Sequence, residues 1–325
     1  MNAKLLLMLT AVTANFCASV QAAETLSSWA DYEARAAIVE FVETVTNEAS
    51  EDFVPASDRI AVFDNDGTLW AEQPAYFQVL FAADMAAAKL KANPALVTES
   101  PFKELAEGGL GAVASGGLAS LFELLQVSHA GISNRDFQTS VANWLESARH
   151  PTTAQPYTAM VYQPMLELLT YLRANGFSTW IVSGGGVSFL RVWAEEAYGI
   201  PKRQVIGSRN ALSFQDNDGD PMFMREASLS HINDGAGKPV GIQQVIGQRP
   251  IMAIGNSDGD FEMLSWTTSL GPSLGVLIHH TDSEREWAYD RDSSIGGLDR
   301  GLNEADARGW IVVDMKSDWE QVFPQ

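Results

Sequence analysis

From Pro164 onward, short apolar runs alternate with amphipathic stretches, and each run ends in small or acidic residues. Met165, Leu166, Leu168, Leu169 and Leu172 trace one helix face, which Asn175-Gly176 stops. Phe177 to Val182 then reads as a strand, closed by Ser183-Gly184-Gly185-Gly186, and Val187 to Tyr198 as a helix. Gln204-Val205-Ile206 predicts a short strand, Val240 to Ile246 a helix, Pro250 to Ile254 a strand and Asp260 to Trp266 a helix. Leu274 to Ile278 and Trp310 to Val313 predict two more strands, and Ser317 to Val322 closes the chain. This alternation leaves few choices. It predicts an α/β fold, a doubly wound and mostly parallel sheet with right-handed crossovers. In such sheets the chemistry collects beyond the carboxyl ends of the strands.

The N-terminal part adds one more strand and a different kind of segment. Trp29, Tyr32, Ala36, Val39, Phe41, Val42 and Val45 predict an amphipathic helix over Leu26 to Glu48, with Ser27 and Ser28 as caps. Ile60-Ala61-Val62-Phe63 is too short for a helix and predicts a buried strand that runs into Asp64-Asn65-Asp66-Gly67-Thr68. Residues 71–160 show no alternating strand. Stretches such as Phe81 to Leu90, Leu118 to Val127 and Asn134 to Ala148 favour helix, with breaks at Gly108-Gly109, Gly111 and Gly116-Gly117. Residues 24–70 and 161–325 therefore predict the α/β core, and 71–160 a helical insertion that returns through Pro151 to Pro156.

Charge narrows the partners. The formal net charge of −20 over 325 residues disfavours phosphate backbones and anionic membranes, so nucleic acid is not expected as a partner. Residues 1–23 predict a secretory signal: Lys4 is the positive n-region, Leu5 to Cys17 the apolar segment and Val20-Gln21-Ala22 the cleavage site. The apolar segment is too short for a comfortable membrane span, so no membrane association is expected once it is removed. Cleavage after Ala22 removes the single cysteine, Cys17, and with it any thiol catalysis or zinc-thiolate site. The expected location is outside the cytoplasm, in a bacterial periplasm.

Four places carry candidate chemistry, and each has a plainer reading. Asp64 and Asp66 leave the end of a strand together, although Asp66-Gly67 by itself is an ordinary turn dipeptide. The Ser183 hydroxyl and the Gly184 amide suit phosphate oxygens, or else a glycine-rich turn that caps a helix. Lys238 is a point cation suited to a phosphoryl oxygen, or else a solvated lysine. Gly255-Asn256-Ser257-Asp258-Gly259-Asp260 offers hard oxygen ligands of the kind Mg²⁺ takes, or else an Asx-rich helix cap.

Taken in this order, the four places resemble the motifs of the haloacid dehalogenase-like (HAD) superfamily over roughly residues 58 to 280. The helical insertion sits where the phosphoserine-phosphatase-like branch carries its cap. The resemblance implies a Rossmann-like core with an inserted α-helical cap and a secreted, Mg²⁺-dependent phosphatase acting on a small phosphorylated metabolite. It implies Asp64 as the nucleophile that forms an aspartyl phosphate and Asp66 as general acid, then base. Thr68, Ser183, Gly184 and Lys238 are implied phosphate binders. Asp64, the Asp66 carbonyl and Asn256 are implied metal ligands, with Asp258 and Asp260 as further ligands or supports. Many family members have Asp where this chain has Asn256, a ligand without charge. A phosphotransferase or phosphomutase using the same intermediate, and a periplasmic binding protein without turnover, are the competing readings.

Other features are set aside. Asp216 to Asp220 resembles the start of a calcium loop, but position twelve is Ala227, and a hairpin between Ala211–Phe214 and Met222–Arg225 is expected instead. His279 and His280 point to opposite sides of an extended chain and share no metal. Arg191 and Arg225 could meet a substrate anion, but surface ion pairs are the expected role.

Overall fold

The computed structural model describes residues 26–325; the expected export signal, residues 1–23, lies outside the described residues. Eight strands form one sheet: β1 (Ile60–Phe63), β2 (Ser178–Gly186), β3 (Val205–Asn217), β4 (Asp220–His231), β5 (Met252–Gly255), β6 (Leu274–Thr281), β7 (Ala288–Tyr289) and β8 (Ile311–Asp314). The order is β4-β3-β2-β1-β5-β6-β7, and β8 also pairs with β6. All pairings are parallel except β3 with β4 and β6 with β7.

β1 lies at the centre, between β2 and β5, where the strand order reverses. All four of its residues are buried. Side chains alternate across a strand, so Ala61 and Phe63 join one apolar layer while Ile60 and Val62 join the other. The first layer receives α1 (Glu33–Thr46), α6 (Gln163–Ala174) and α7 (Val187–Tyr198), and the second α8 (Gly237–Val245), α9 (Phe261–Thr267) and α10 (Arg300–Arg308). The sheet is therefore doubly wound, as the alternation requires. α11 (Met315–Asp318) follows β8.

Between β1 and α6 the chain forms four helices: α2 (Phe77–Ala92), α3 (Phe102–Ala114), α4 (Gly117–His129) and α5 (Asn134–Ser147). Ala82, Ala86, Phe102, Val113 and Leu124 form a small core of their own. α3 kinks where Gly109 takes φ +65°.

Several expectations are revised. The first helix starts at Glu33, not Leu26, and Tyr32 is its cap. Ser28 instead donates from its hydroxyl (2.7 Å) and its amide (2.9 Å) to the Glu167 carboxylate of α6. The short strand at 204–206 and the separate hairpin are one structure, because β3 runs unbroken to Asn217 before turning back. Asp218 and Gly219 both have positive φ in that turn, so the acidic cluster serves a hairpin. β7 and α10 were not anticipated: one is two residues long, and the other is largely polar.

Arg225 belongs to β4 and carries the main correction. It makes no surface ion pair. It is buried, with its guanidinium 3.9 Å from the Phe137 ring centroid. It donates to the His129 carbonyl at 3.1 Å, to Asn134 Oδ1 at 3.1 Å and to Asn210 Oδ1. Burial pulls its pKa down to about 10. Arg225 thus ties the hairpin to α4 and α5. Arg191 likewise makes no ion pair among the described residues and donates to the Val205 carbonyl at 3.0 Å.

Candidate active site

The end of β1 places Asp64 on the wall of a cavity of about 280 Å³, and the Asp64 amide bonds the Ile254 carbonyl of β5 at 2.9 Å. The chain must then reverse. Gly67 does so at φ +75°, and a Cβ there would fall 2.0 Å from Asn256 Nδ2, so no other residue fits. The turn is held from below by His280, whose Nε2 lies 2.7 Å from the Gly67 carbonyl. A carbonyl only accepts, so that nitrogen donates. His280 is thus a buried support beneath the turn, and its neighbour His279 faces Asp290 instead.

Lys238, near the start of α8, is 2% exposed and is no solvated lysine. Its ammonium donates to Asp64 Oδ1 at 2.5 Å, to Asp260 Oδ1 at 2.6 Å and to the Val182 carbonyl at 2.9 Å. Burial opposes its charge, but Asp260 and Asp64 outweigh that and raise its pKa. The Asp64 carboxyl is raised well above the usual carboxylate range, first by burial and then by Asp260, against the pull of Lys238.

Asp66 accepts from Trp70 Nε1 at 2.8 Å and, weakly, from Ser183 Oγ at 3.5 Å. Burial raises its pKa. Ser183 is fully buried beside it and accepts from the Gly185 amide at 2.9 Å. Gly184 and Gly185 border the cavity from the irregular end of β2, where the pairing with β3 shifts register.

The other candidate residues have structural duties. Thr68 is fully buried, does not border the cavity, and donates its hydroxyl to Asn256 Oδ1 at 3.0 Å. In this structure the hydroxyl expected to meet phosphate is turned to Asn256, which it orients, rather than to the cavity. Asp258 takes the supporting role of the two expected for it. Its carboxylate accepts from the amides of Asp299, Arg300 and Gly301 at 3.2, 3.0 and 2.8 Å, capping α10. Asp260 spends Oδ1 on Lys238 and Oδ2 on the amides of Asn256 (3.0 Å) and Ser257 (3.1 Å), so it supports the turn.

Glu72 was missed. It follows the turn in the apolar run Leu69-Trp70-Ala71, and an acid within such a run was the only available signal. It is 1% exposed and borders the cavity, and its Oε1 accepts from Asn256 Nδ2 and from Tyr289 OH, both at 2.8 Å. Burial raises its pKa well above the ordinary value, and Asp66 and Asp64 add to this.

A divalent cation here would rest on one or two carboxylates with backbone and amide oxygens, because among the described residues no three Asp, Glu, His or Cys side chains are grouped to hold a metal. Asp64, Asp66, Glu72 and Asp234 border the cavity with Lys238 as the sole basic side chain. Among the described residues, the Asp66 carbonyl has no hydrogen-bond donor against it. Hard oxygen donors with excess negative charge are what Mg²⁺ takes. The opposite wall comes from α2 and α4 and is partly apolar, with Val79, Leu121 and Leu125 beside Tyr76 and Gln78. Gln78 joins the two walls, since its Oε1 accepts from the Gly186 amide at 2.7 Å.

The family model described as haloacid dehalogenase-like hydrolase matches residues 61–265. Among solved structures, the chain is similar to a protein of unknown function from Bordetella pertussis Tohama I, at 16% identity and TM-score 0.49, over 79% of this chain and 98% of that one. It is similar to a probable phosphoserine phosphatase from Vibrio cholerae, at 15% identity and TM-score 0.38, over 70% of this chain and 58% of that one. It is also similar to cytosolic 5′-nucleotidase IIIB bound to cytidine, at 14% identity and TM-score 0.40, over 86% of each chain. A search of curated proteins finds no match.

Proposed function

Since this chain belongs to the haloacid dehalogenase-like hydrolase family, we propose that it is a Mg²⁺-dependent phosphatase of small phosphomonoesters working through an aspartyl phosphate on Asp64. One observation carries the reading: a carboxylate at the carboxyl end of the central strand borders a cavity, paired with a buried lysine and followed two residues later by a second acid. The two acids have different surroundings. Asp64 is bonded to the Lys238 ammonium, whose charge opposes the rise that burial and Asp260 give the Asp64 carboxyl and so favours its ionised, nucleophilic form. Asp66 has no cation bonded to it, and burial raises its pKa, which suits a proton donor.

In this reading Asp64 attacks phosphorus while Asp66 gives its proton to the leaving oxygen. Asp66 then takes a proton from the water that hydrolyses the acyl phosphate. Lys238, with the Gly184 amide, lies where the transferring oxygens gather charge. Asp64, the Asp66 carbonyl and Asn256 would hold Mg²⁺, which when bound offsets the repulsion between carboxylate and phosphate. The wall from α2 and α4 acts as a cap that closes over the leaving group. Export through residues 1–23 belongs to the same proposal. No helix of the described residues is long and apolar enough to cross a membrane.

The test is Mg²⁺-dependent release of phosphate from p-nitrophenyl phosphate and a panel of phosphorylated metabolites. Asp64→Asn is expected to abolish turnover while leaving the fold intact. Unimpaired turnover in that variant, or none in the wild type across the panel, overturns the mechanism.

A further inference from the structure

We propose that Glu72 is the second fixed carboxylate of the divalent-cation site, supplying through Oε2 the negative charge that Asn256 does not carry. The inference rests on the phosphatase reading above, and it goes beyond it by adding a residue outside the four motifs.

Glu72 and Asn256 act as one unit, joined at 2.8 Å through Asn256 Nδ2 and Glu72 Oε1. Each has its inner atom fixed by a further partner. Thr68 donates to Asn256 Oδ1, and Tyr289 donates to Glu72 Oε1. Glu72 Oε2 has no hydrogen-bond partner among the described residues, although the side chain is 1% exposed and borders the cavity. Oε2 is not walled off from the cavity, so a cation bound there, or its water, can meet it directly. Among the described residues, no lysine, arginine or histidine makes an ion pair with Glu72. The one buried cation nearby, Lys238, is already taken by Asp64 and Asp260. Asp258 caps α10, so it brings no charge to the cavity. Glu72 is thus the acid placed to complete a site in which Asn256 contributes only an amide.

The pair also has a natural exchange. In Glu72→Gln combined with Asn256→Asp, the amide and the carboxylate change places. The hydrogen bond between them survives with its direction reversed, and the carboxylate count stays the same. A purely structural role for Glu72 would not be sensitive to that exchange in the same way.

The experiment is Mn²⁺ binding to the phosphate-free protein, read from the electron paramagnetic resonance of free Mn²⁺, with circular dichroism as the check on folding. Wild type is expected to bind one Mn²⁺, and Asp64→Asn to weaken it. Glu72→Gln is expected to raise the Kd about 10–100-fold, the usual effect of losing such a group. The exchanged double variant is expected to return to within a few-fold of wild type. Wild-type affinity in Glu72→Gln overturns the inference. So does a double variant that folds but binds as weakly as Glu72→Gln, because the role would then lie in the hydrogen bonds rather than the charge. Failure of the wild type itself to bind Mn²⁺ overturns the metal-dependent reading, a result distinct from either of these.

Discussion

Lys238→Met removes a charge and keeps most of the side-chain volume. In the wild type that ammonium lies 2.5 Å from Asp64 and 2.6 Å from Asp260, and all three groups are buried. Deleting one member of a buried ion cluster leaves uncompensated charge and costs about 3–5 kcal/mol. The Val182 carbonyl also loses its donor. Domains typically hold about 5–15 kcal/mol, so the variant should fold with a reduced margin. At roughly 2–4 °C per kcal/mol, the expected fall in Tm is about 6–20 °C, measured by calorimetry with chelator present. Phosphate release should fall by about 10²–10³, as for loss of one placed donor. A second substitution separates the two effects. Lys238→Met with Asp260→Asn removes one orphaned carboxylate, so Tm should recover by more than half while turnover stays low. A Tm shift under about 2 °C in the single variant would refute the claim that the cluster is a coupled unit. Restored turnover in the double variant would refute the assignment of Lys238 to the phosphoryl oxygens.

Gly67→Ala forces a side chain into a positive-φ position, 2.0 Å from Asn256 Nδ2. It should cost about 2 kcal/mol or more and lower turnover sharply, and calorimetry beside the phosphate assay checks both. Arg225→Met should cost about 2–4 kcal/mol, because it strands the His129 carbonyl and two amide oxygens, and it should raise hydrogen exchange in α4 and α5. His129 is buried, and burial, then Arg225 and Lys89, push its pKa well below 6.5. The folded state therefore resists a proton that the unfolded chain accepts. Its contribution to stability is fully present above about pH 6.5 and is lost as pH falls from there toward the folded-state pKa, by at most about 1.4 kcal/mol per pH unit. His129→Gln should flatten that part of the stability–pH curve relative to wild type.

The sequence reading reached the parts of the site whose signal is local. Asp64 and Lys238 were legible because an apolar strand must end and a helix must begin beside them. Asp66 was legible by its spacing from Asp64. What each acid of the Asn256–Asp260 turn does was not legible, since the partners that commit Asp258 and Asp260 come from α10 and Lys238, remote in the chain. Glu72 escaped for the same reason, as its partners are Asn256 and Tyr289. Arg225 was misread because β4 alternates polar residues on an antiparallel hairpin, and nothing in that pattern shows that α4 and α5 cover it. The sheet itself was mostly legible, because parallel strands buried on both faces must be continuously apolar.

The central place of β1 has a consequence for biogenesis. Thr68 and its partner Asn256 are 188 residues apart. At roughly 5–20 residues per second of synthesis, about 10–40 s pass between the appearance of one and the other. During that interval the wholly apolar run Ile60–Phe63 has no β5 to pair with. The helices that follow it make mostly local contacts and are free to form meanwhile. The Asp64–Thr68 turn therefore comes together only when nearly the whole sheet exists, and a truncated or nascent chain should hold an exposed, aggregation-prone strand.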